Sequence, residues 1–150
     1  MAEVEASPGT YRRMLDECAC LNVRKAARVL TQCYDRGLAA SGIRSTQLPL
    51  LVTTALHERI NVGELASEVL MDRTTVSRTL SLLERKGWVR VLPGADQRTR
   101  EVELTTEGEG VLESAVTLWQ RTQKEVERDL GEDCTNRVLP DLVRQLSRLE

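Results

Sequence analysis

Polar and basic side chains are concentrated between residues 73 and 78 of this 150-residue chain. The candidates for contact with a nucleic acid are Arg73, Thr74, Thr75, Ser77 and Arg78. Arginine forms paired hydrogen bonds with the edge of guanine, and serine and threonine hydroxyls bond with phosphates or with bases. This cluster therefore predicts recognition of a nucleic-acid duplex rather than catalysis.

A second polar cluster lies between residues 96 and 100, after the turn-forming sequence Pro93-Gly94. Arg98 and Arg100 are expected at the tip of a hairpin, where arginine suits the narrow, electronegative minor groove of A·T-rich DNA. Asp96 is expected to hold Arg98 or Arg100 in place and not to touch DNA. The two clusters together predict two separate contacts with one duplex.

Residues 61–104 predict a frame that presents both clusters. In order, the segment reads as a short helix, a turn, a second helix and two strands over 88–92 and 100–104. Asn61 and Asp72 precede the two helices as N-cap residues, and Gly87 follows the second helix, where a left-handed backbone is common. A helix-turn-helix followed by a β-hairpin wing meets a duplex once with a helix and once with an arm.

The segment before this frame predicts a tail and two helices. Residues 1–9 read as a disordered tail, and Thr10 is expected to cap one long helix that runs to about residue 40. Ser45 is expected to cap a helix over 46–59. Its inward side chains are expected to be Leu48, Leu51, Val52, Ala55 and Leu56.

The segment after the frame predicts two more helices. Thr105 is expected to cap a long helix to about residue 130, and a last helix is kinked or begins near Pro140. This last helix is short and has an apolar stripe along one face, so it is only marginally stable on its own and needs a surface to pack against. Long helices at both chain ends indicate that this surface belongs to a second copy of the chain.

The net charge of −2 hides an uneven distribution. Residues 72–100 carry seven basic and three acidic side chains, a local charge of +4, whereas residues 105–150 carry six basic and ten acidic ones. Local charge, not the total, governs attraction to phosphates. With 41% apolar and 29% charged residues the chain is typical of one globular domain. The sequence has no membrane-length apolar run and no export signal, so we expect no membrane contact and a cytoplasmic location.

The stretch GELASEVLMDRTTVSRTLSLLERKGWVRV, followed by Asp96-x-Arg98 and Leu104-Thr105-x-x-Gly108, resembles the MarR family of bacterial transcriptional regulators. The resemblance covers nearly the whole chain. It implies a mainly α fold with a small β wing, a winged helix-turn-helix in an intertwined helical homodimer. Residues 10–44 and 105–150 would then be dimerisation helices, and residues 45–104 the winged helix-turn-helix lobe.

The same resemblance implies how the protein works. The recognition helix enters the major groove of double-stranded DNA and a wing arginine enters the minor groove, at a pseudo-palindromic operator. The protein is then a repressor that a small effector or cysteine oxidation releases from DNA, and no cofactor is expected.

Within that family, Cys20, Tyr34 and Gln47 are in register with the reactive cysteine, tyrosine and glutamine of the organic-hydroperoxide-sensing branch. The resemblance implies that Cys20 is oxidised to a sulfenic acid and that this shifts the dimer out of its DNA-binding shape. Other tyrosines of that branch are replaced here by Arg24 and Ser45. In their place Arg24, one helical turn from Cys20, is expected to favour the thiolate by its charge.

The cysteines also have a simpler interpretation. Cys18, a second candidate thiol for redox chemistry, and Cys20 and Cys33 are then small core or interface residues. A metal site is not expected, because residues two apart on a helix point roughly 200° apart. The single histidine, His57, is expected on a helix surface.

A small-molecule pocket is a further expectation, since many relatives bind phenolic or aromatic acids. Arg24, Arg28, Tyr34 and Arg44 are candidate contacts, although surface salt bridges and core packing explain them equally well. An enzyme is not expected, because the sequence has no Ser/His/Asp set, no phosphate loop and no paired acids. The alternatives are a winged-helix protein-interaction module and a thiol peroxidase that uses Cys134 as resolving partner.

Overall fold

Seven α-helices and a small antiparallel sheet make up the described part of the chain. The computed structural model describes residues 6–94, 96 and 99–149. The helices are α1 (Pro8–Glu17), α2 (Ala19–Leu38), α3 (Leu48–His57), α4 (Val62–Glu68), α5 (Arg73–Arg85), α6 (Thr106–Leu130) and α7 (Leu139–Leu146). The strands are β1 (Arg59–Asn61), β2 (Val89–Pro93) and β3 (Arg100–Leu104). The chain divides into two compact units, residues 1–33 and residues 34–150.

The first unit contains a helix boundary that the sequence analysis missed. The prediction of one helix from Thr10 to about residue 40 was wrong, because Cys18 has an extended backbone (φ −67°, ψ 111°) that separates α1 from α2. Ser7, not Thr10, is the N-cap, and its Oγ accepts a hydrogen bond of 3.2 Å from the Thr10 amide. Pro8 lies in the first turn, where its missing N–H costs nothing. The predicted tail is therefore too long, because α1 already begins at Pro8.

Side chains from α2 satisfy carbonyl groups at the end of α1. Asn22 Nδ2 donates to the Asp16 carbonyl at 2.8 Å, and Lys25 Nζ donates to the Leu15 carbonyl at 3.3 Å. Carbonyls in the last turn of a helix have no partner within the helix, so these two donors stabilise the break.

The second unit contains the hydrophobic core, to which the end of α2, helices α3 to α6 and the sheet contribute. Val76, Leu80 and Leu83 are the buried side of α5, as predicted. The other buried members are Leu38, Ile43, Leu50, Leu51, Ile60, Leu65, Ala66, Trp88, Val89, Val102 and Ala115.

Helix α3 is shorter than predicted, and the face that it buries differs from the predicted face. Ser45 does not cap it, because the helix begins at Leu48 and its N-cap position is Gln47. The Ser45 amide instead donates to Asp35 Oδ1 at 2.7 Å. Leu51 is buried as predicted, but Val52, Ala55 and Leu56 are exposed. The buried face instead contains Leu50, Leu51, Thr53 and Thr54. Buried threonines hid this face from a search for apolar periodicity; the Thr54 hydroxyl donates to the Leu50 carbonyl at 2.8 Å.

The sheet has three strands in the order β1-β3-β2, one more than the predicted hairpin. Arg59, which we assigned to the end of a helix, instead begins β1, and Ile60 in the middle of this strand pairs with Val102. Val91 pairs with Val102 from the other side, so Val102 lies at the centre of the sheet and is buried. Strand β3 has the bounds that the sequence predicted, and β2 lies one residue further along than expected.

The last two helices begin where the sequence predicted. Thr105 caps α6, since its Oγ1 accepts from the Gly108 amide at 3.0 Å, and Gly131 ends the helix with a φ of 87°. A π-helical turn over Cys134–Val138 leads into α7, which has Pro140 in its first turn. Exposed apolar side chains line this C-terminal segment: Val138, Leu142, Val143, Leu146 and Leu149. Within the described residues, no helix has the length and apolar character needed to cross a membrane.

Candidate nucleic-acid interface

The N-terminus of α5 is fixed by the side chain of Asp72. Its Oδ1 accepts from the Thr75 amide at 2.8 Å, and its Oδ2 accepts from the Thr75 hydroxyl at 2.5 Å. The hydroxyl bond, followed by the amide bond, lowers the pKa of Asp72. The predicted cap is confirmed, and the structure adds that the Thr75 hydroxyl already has an acceptor within the protein.

The outer face of α5 carries the five side chains that the sequence singled out. All five are exposed, while Val76 and Leu80 on the opposite side are buried. The exposed residues are Arg73, Thr74, Thr75, Ser77 and Arg78. The helix therefore presents a continuous polar and basic surface beside a buried one, although contact with DNA stays a prediction for each of these residues.

The guanidinium group of Arg73 lies close to the first turn of α4. A Cβ placed on Gly63, in the first turn of α4, would lie 2.8 Å from Arg73 Nη2. Glycine at this position therefore leaves space for the guanidinium group. Asn61 caps α4 as predicted, with its Oδ1 accepting from the Gly63 amide at 2.7 Å.

The turn between α4 and α5 is strained at Leu70. This residue has a φ of 53° and is 63% exposed. A leucine in the left-handed region costs about 1–2 kcal/mol relative to the ordinary helical region. The Met71 amide donates to the Ala66 carbonyl at 2.9 Å and holds the turn in this conformation.

The tip of the wing is closed by Thr99, a residue that the sequence analysis did not consider. The Gly94 amide donates to the Thr99 carbonyl at 2.9 Å, and both the amide and the hydroxyl of Thr99 donate to the Asp96 carbonyl at 2.8 Å. Arg100 is exposed at the start of β3. Arg98 lies outside the described residues, so the expected role of Asp96 in holding an arginine stays a prediction.

Two further arginines on the outer face of the sheet were also missed. Glu103 lies between them: Arg59 Nη2 is 2.6 Å from Glu103 Oε2, and Arg90 Nη1 is 3.1 Å from Glu103 Oε1. The hydrogen bonds from Arg59 lower the pKa of Glu103, and the same contact raises the pKa of Arg59. Arg59 and Arg90 are the cross-strand partners of Glu103 on either side of β3. The alternation of apolar and charged residues along the strands could have placed these charged side chains on one face of the sheet.

The C-terminal end of α5 is tied to its surroundings by Lys86. Its Nζ donates to the Gly42 carbonyl at 3.0 Å and lies 4.0 Å from the centre of the Trp88 ring. Gly87 has a φ of 76°, as its predicted position requires, and its carbonyl accepts from the Thr105 hydroxyl at 2.5 Å. The recognition helix is thus fixed at both ends before any DNA is bound.

The cysteines and Tyr34 occupy separate positions along α2. Cys20 is exposed in the first turn of α2, and Cys18 is half-buried at the break before this helix. The two cysteines are therefore not on one continuous helix, contrary to the expectation from which we argued against a metal site. Tyr34 follows 14 residues after Cys20 in the sequence. The Tyr34 hydroxyl donates to Gln123 Oε1. The pairing of Cys20 with a tyrosine stays a prediction.

The three arginines proposed for an effector have different surroundings. Arg24 and Arg28 are exposed, one turn apart on α2. Arg44 forms an ion pair with Asp35 at 3.3 Å, and Asp35 also accepts the Ser45 amide. That amide bond is the main reason for the lowered pKa of Asp35. The effector role stays a prediction, and for Arg44 the structure supplies a structural role.

An apolar groove of about 400 Å³ lies between α3 and α6. None of the predicted effector residues lines it. Its lining consists of Leu48, Pro49, Val52, Leu112, Val116 and Trp119. Val52, an exposed residue of α3 that we had assigned to the core, forms one wall together with Leu48 and Pro49. Among the described residues, no group of three or more histidine, cysteine and acidic side chains is arranged to hold a metal ion.

Comparison with known proteins places this geometry among transcriptional regulators. Residues 41–99 match the model of the MarR family. The chain is 38% identical to the M. tuberculosis transcriptional regulator MosR, whose structure in complex with DNA superposes with a TM-score of 0.80 over 89% of this chain and 98% of that one. A mutant of E. coli MarR in complex with operator DNA is 25% identical, with a TM-score of 0.76 over 89% of this chain and 97% of that one. The regulator SarZ of Staphylococcus saprophyticus is 24% identical over 130 residues, 86% of each chain.

Proposed function

This chain belongs to the MarR family of transcriptional regulators, and from that premise we propose that it is a homodimeric repressor of a pseudo-palindromic operator. It is a winged helix-turn-helix regulator that binds DNA, and not an enzyme. The finer proposals concern how it reads DNA, how it pairs and what releases it. The observation that carries them is the exposed basic face of α5 beside the wing.

We assign base contacts to the first turns of α5. The N-terminal residues of a recognition helix reach the base edges, and Arg78 has the side chain best suited to guanine. Arg98 and Arg100 would follow the minor groove from the wing tip. Asp96 would orient them.

Dimerisation accounts for apolar surfaces that each unit leaves exposed. In the first unit Tyr11, Met14, Leu15 and Val29 are exposed, and in the second unit α7 exposes a further apolar face. A second copy that covers these faces would set two recognition helices about one helical turn of DNA apart. The spacing between the two copies would then decide affinity.

Binding to a duplex selected from a random-sequence library by the wild-type protein tests the DNA-reading assignment. The dissociation constant should rise with salt, with a log–log slope of several units, because phosphate contacts release counterions. Arg78→Ala should weaken binding to the selected duplex about tenfold or more, since a bidentate guanine contact contributes about 1–3 kcal/mol. Arg121→Ala, at an exposed position on α6, is the matched control and should bind as the wild type does.

Arg98→Ala tests the wing in the same assay. Binding should weaken while dimerisation is unchanged. Unchanged affinity would remove the wing from the interface, and the absence of any salt-dependent duplex binding by the wild type would instead favour a protein-interaction module.

For release from DNA, we propose oxidation of Cys20 by an organic hydroperoxide. The Cys20 thiol loses its proton, and the thiolate attacks the terminal peroxide oxygen. The O–O bond breaks, the alkoxide takes up a proton and leaves as an alcohol, and the sulfur, oxidised by two electrons, becomes a sulfenic acid. Exposure of Cys20 in the first turn of α2 supports this choice over the half-buried Cys18, Cys33 and Cys134. Cys20→Ser should keep DNA binding and abolish release by cumene hydroperoxide, and Cys134→Ser should still be released. Release that persists in Cys20→Ser would exclude Cys20.

A small phenolic or aromatic effector is the second candidate for release, and the apolar groove between α3 and α6 favours it. Trp119 in the groove wall gives a direct signal. Salicylate or a related aromatic acid should quench its fluorescence and lower DNA affinity, whereas Trp119→Leu should lose the response. No quenching at concentrations that release DNA would place the effector elsewhere, with Arg24, Arg28 and Arg44 as the remaining candidates.

A further inference from the structure

Strand β2 is an edge strand among the described strands, and the backbone N–H groups of its alternate residues face away from the sheet. Strand order β1-β3-β2 leaves one side of β2 without a neighbouring strand. The Thr105 amide donates to the Trp88 carbonyl at 3.1 Å and the Gly94 amide donates to the Thr99 carbonyl at 2.9 Å. Backbone groups alternate in direction along an antiparallel ladder. The backbone N–H and C=O groups of the even-numbered residues of β2 therefore face β3. The backbone N–H of Val91 points the other way, towards the open edge of the sheet.

The acceptor for this outward amide is a side chain of the recognition helix. Glu84, in the last turn of α5, accepts from the Val91 amide through Oε1 at 3.0 Å. Pro93, the next residue with the same orientation, has no N–H to offer. Glu84 thus makes a direct connection from α5 to the outer edge of the wing, close to the middle of β2.

We propose that Glu84 is a positioning residue for DNA recognition, which sets the angle of the wing relative to α5. Glu84 is exposed and acidic, so it would repel phosphate if it faced DNA itself. Its bond fixes the strand that leads to the wing tip, whereas Lys86, which lies over the Trp88 ring, and Thr105, which donates to the Gly87 carbonyl, make contacts only at the base of the wing. The residues at the wing tip can meet the minor groove at a fixed distance from the bases read by α5 only if the wing is held rigidly relative to α5. This inference rests on the proposed function, because it requires that the wing touches DNA.

A double-mutant cycle with the wing arginine tests the inference. The measured quantity is affinity for the duplex selected by the wild-type protein, at one fixed salt concentration. Glu84→Ala should weaken binding by about three- to tenfold, the range expected for one hydrogen bond. Glu84→Gln retains an acceptor oxygen and should bind nearly as well as the wild type. In an Arg98→Ala background, Glu84→Ala should cause no further loss, because the wing contact it positions is already gone. Glu113→Ala, which removes the same charge from an exposed site on α6, should not weaken binding.

Three results would overturn the inference. The first is an equal loss from Glu84→Ala with and without Arg98, which would indicate a role that does not involve the wing. The second is a Glu84→Gln variant as weak as Glu84→Ala, which would indicate that charge matters and not the hydrogen bond. The third is wild-type affinity in Glu84→Ala while Arg98→Ala is weakened. Wild-type affinity in Arg98→Ala itself would instead refute the wing assignment in the proposed function, and the Glu84 inference with it.

Discussion

Single carboxylates decide the local geometry of the DNA-binding face. Asp72 illustrates this, because its two carboxylate oxygens accept hydrogen bonds from the amide and the hydroxyl of Thr75 and so cap the N-terminus of α5. An alanine here leaves the first amides of α5 without an acceptor from the protein. The outer face then loses order at the end that we propose reads bases.

Asp72→Ala should lower the thermal midpoint by a few degrees and weaken binding to the selected duplex. Asp72→Asn should fall between the wild type and Asp72→Ala, because its carbonyl oxygen still caps the Thr75 amide but its NH₂ cannot accept the Thr75 hydroxyl. Circular dichroism on heating measures the first effect, and fluorescence anisotropy measures the second. Equal midpoints for all three proteins would contradict the capping role.

Glu103 gives the protein a defined response to acid. Its pKa is lowered in the folded state from the ordinary value of 4.5, chiefly by hydrogen bonds from Arg59. A lowered carboxyl pKa contributes stability that is fully present above the unfolded pKa and is lost as the pH falls through the folded pKa. The loss therefore begins below about pH 4.5.

Glu103→Gln should remove this component of the acid response. The wild-type protein should lose stability more steeply than Glu103→Gln as the pH falls from 5 towards the lowered pKa, and the two curves should be parallel at higher pH. Urea unfolding at a series of pH values measures this, with Glu113→Gln as control for loss of an exposed carboxylate. Parallel curves over the whole range would show that the ion pairs with Arg59 and Arg90 contribute nothing measurable.

At the scale of elements, the contact between α6 and the wing depends on a glycine. A Cβ added to Gly108 would lie 1.9 Å from the Trp88 carbonyl oxygen, and that oxygen already accepts the Thr105 amide. Strand and helix can approach this closely only without a side chain at residue 108. In the sequence, Gly108 looked like part of a motif; its physical role became visible only with the strand beside it.

Gly108→Ala should destabilise the protein by about 3 kcal/mol, because backbone atoms must move to admit the methyl group. Gly110→Ala is the matched control, since a Cβ there meets nothing within 4 Å. That change should stabilise the protein by about 0.5–1 kcal/mol, the usual gain when alanine replaces glycine inside a helix. Denaturant unfolding measures both, and equal effects at the two positions would contradict the close approach.

At the scale of the whole molecule, the exposed apolar face of α7 leads to a test of assembly. Leu142→Glu should convert the protein from dimer to monomer in sedimentation velocity, because it places a charge on the face proposed to meet a second copy. Leu56→Glu, at a leucine of α3 that is 75% exposed, should leave the dimer intact. The midpoint of thermal unfolding should also rise with concentration in the wild type and not in Leu142→Glu. A wild-type protein that sediments as a monomer would refute the proposed homodimer.

Several features could be predicted from the sequence because they depend on neighbouring residues. The caps at Asn61, Asp72 and Thr105, the glycine at the end of α5 and the exposed polar face of α5 all follow from contacts within one helix turn. Alternation placed β3 at its observed bounds for the same reason. The family resemblance rested on these local features, and the comparisons confirmed it.

Other features depend on residues that are far apart in the chain, and only the tertiary structure decided them. Strand β1 exists because β3 offers it an edge, and α3 turns buried threonines inward because the core lies on that side. Glu84 meets Val91 only when α5 and the wing are both in place. Local sequence thus determined which elements form and which side chains could read DNA, whereas packing determined how those elements are held relative to one another.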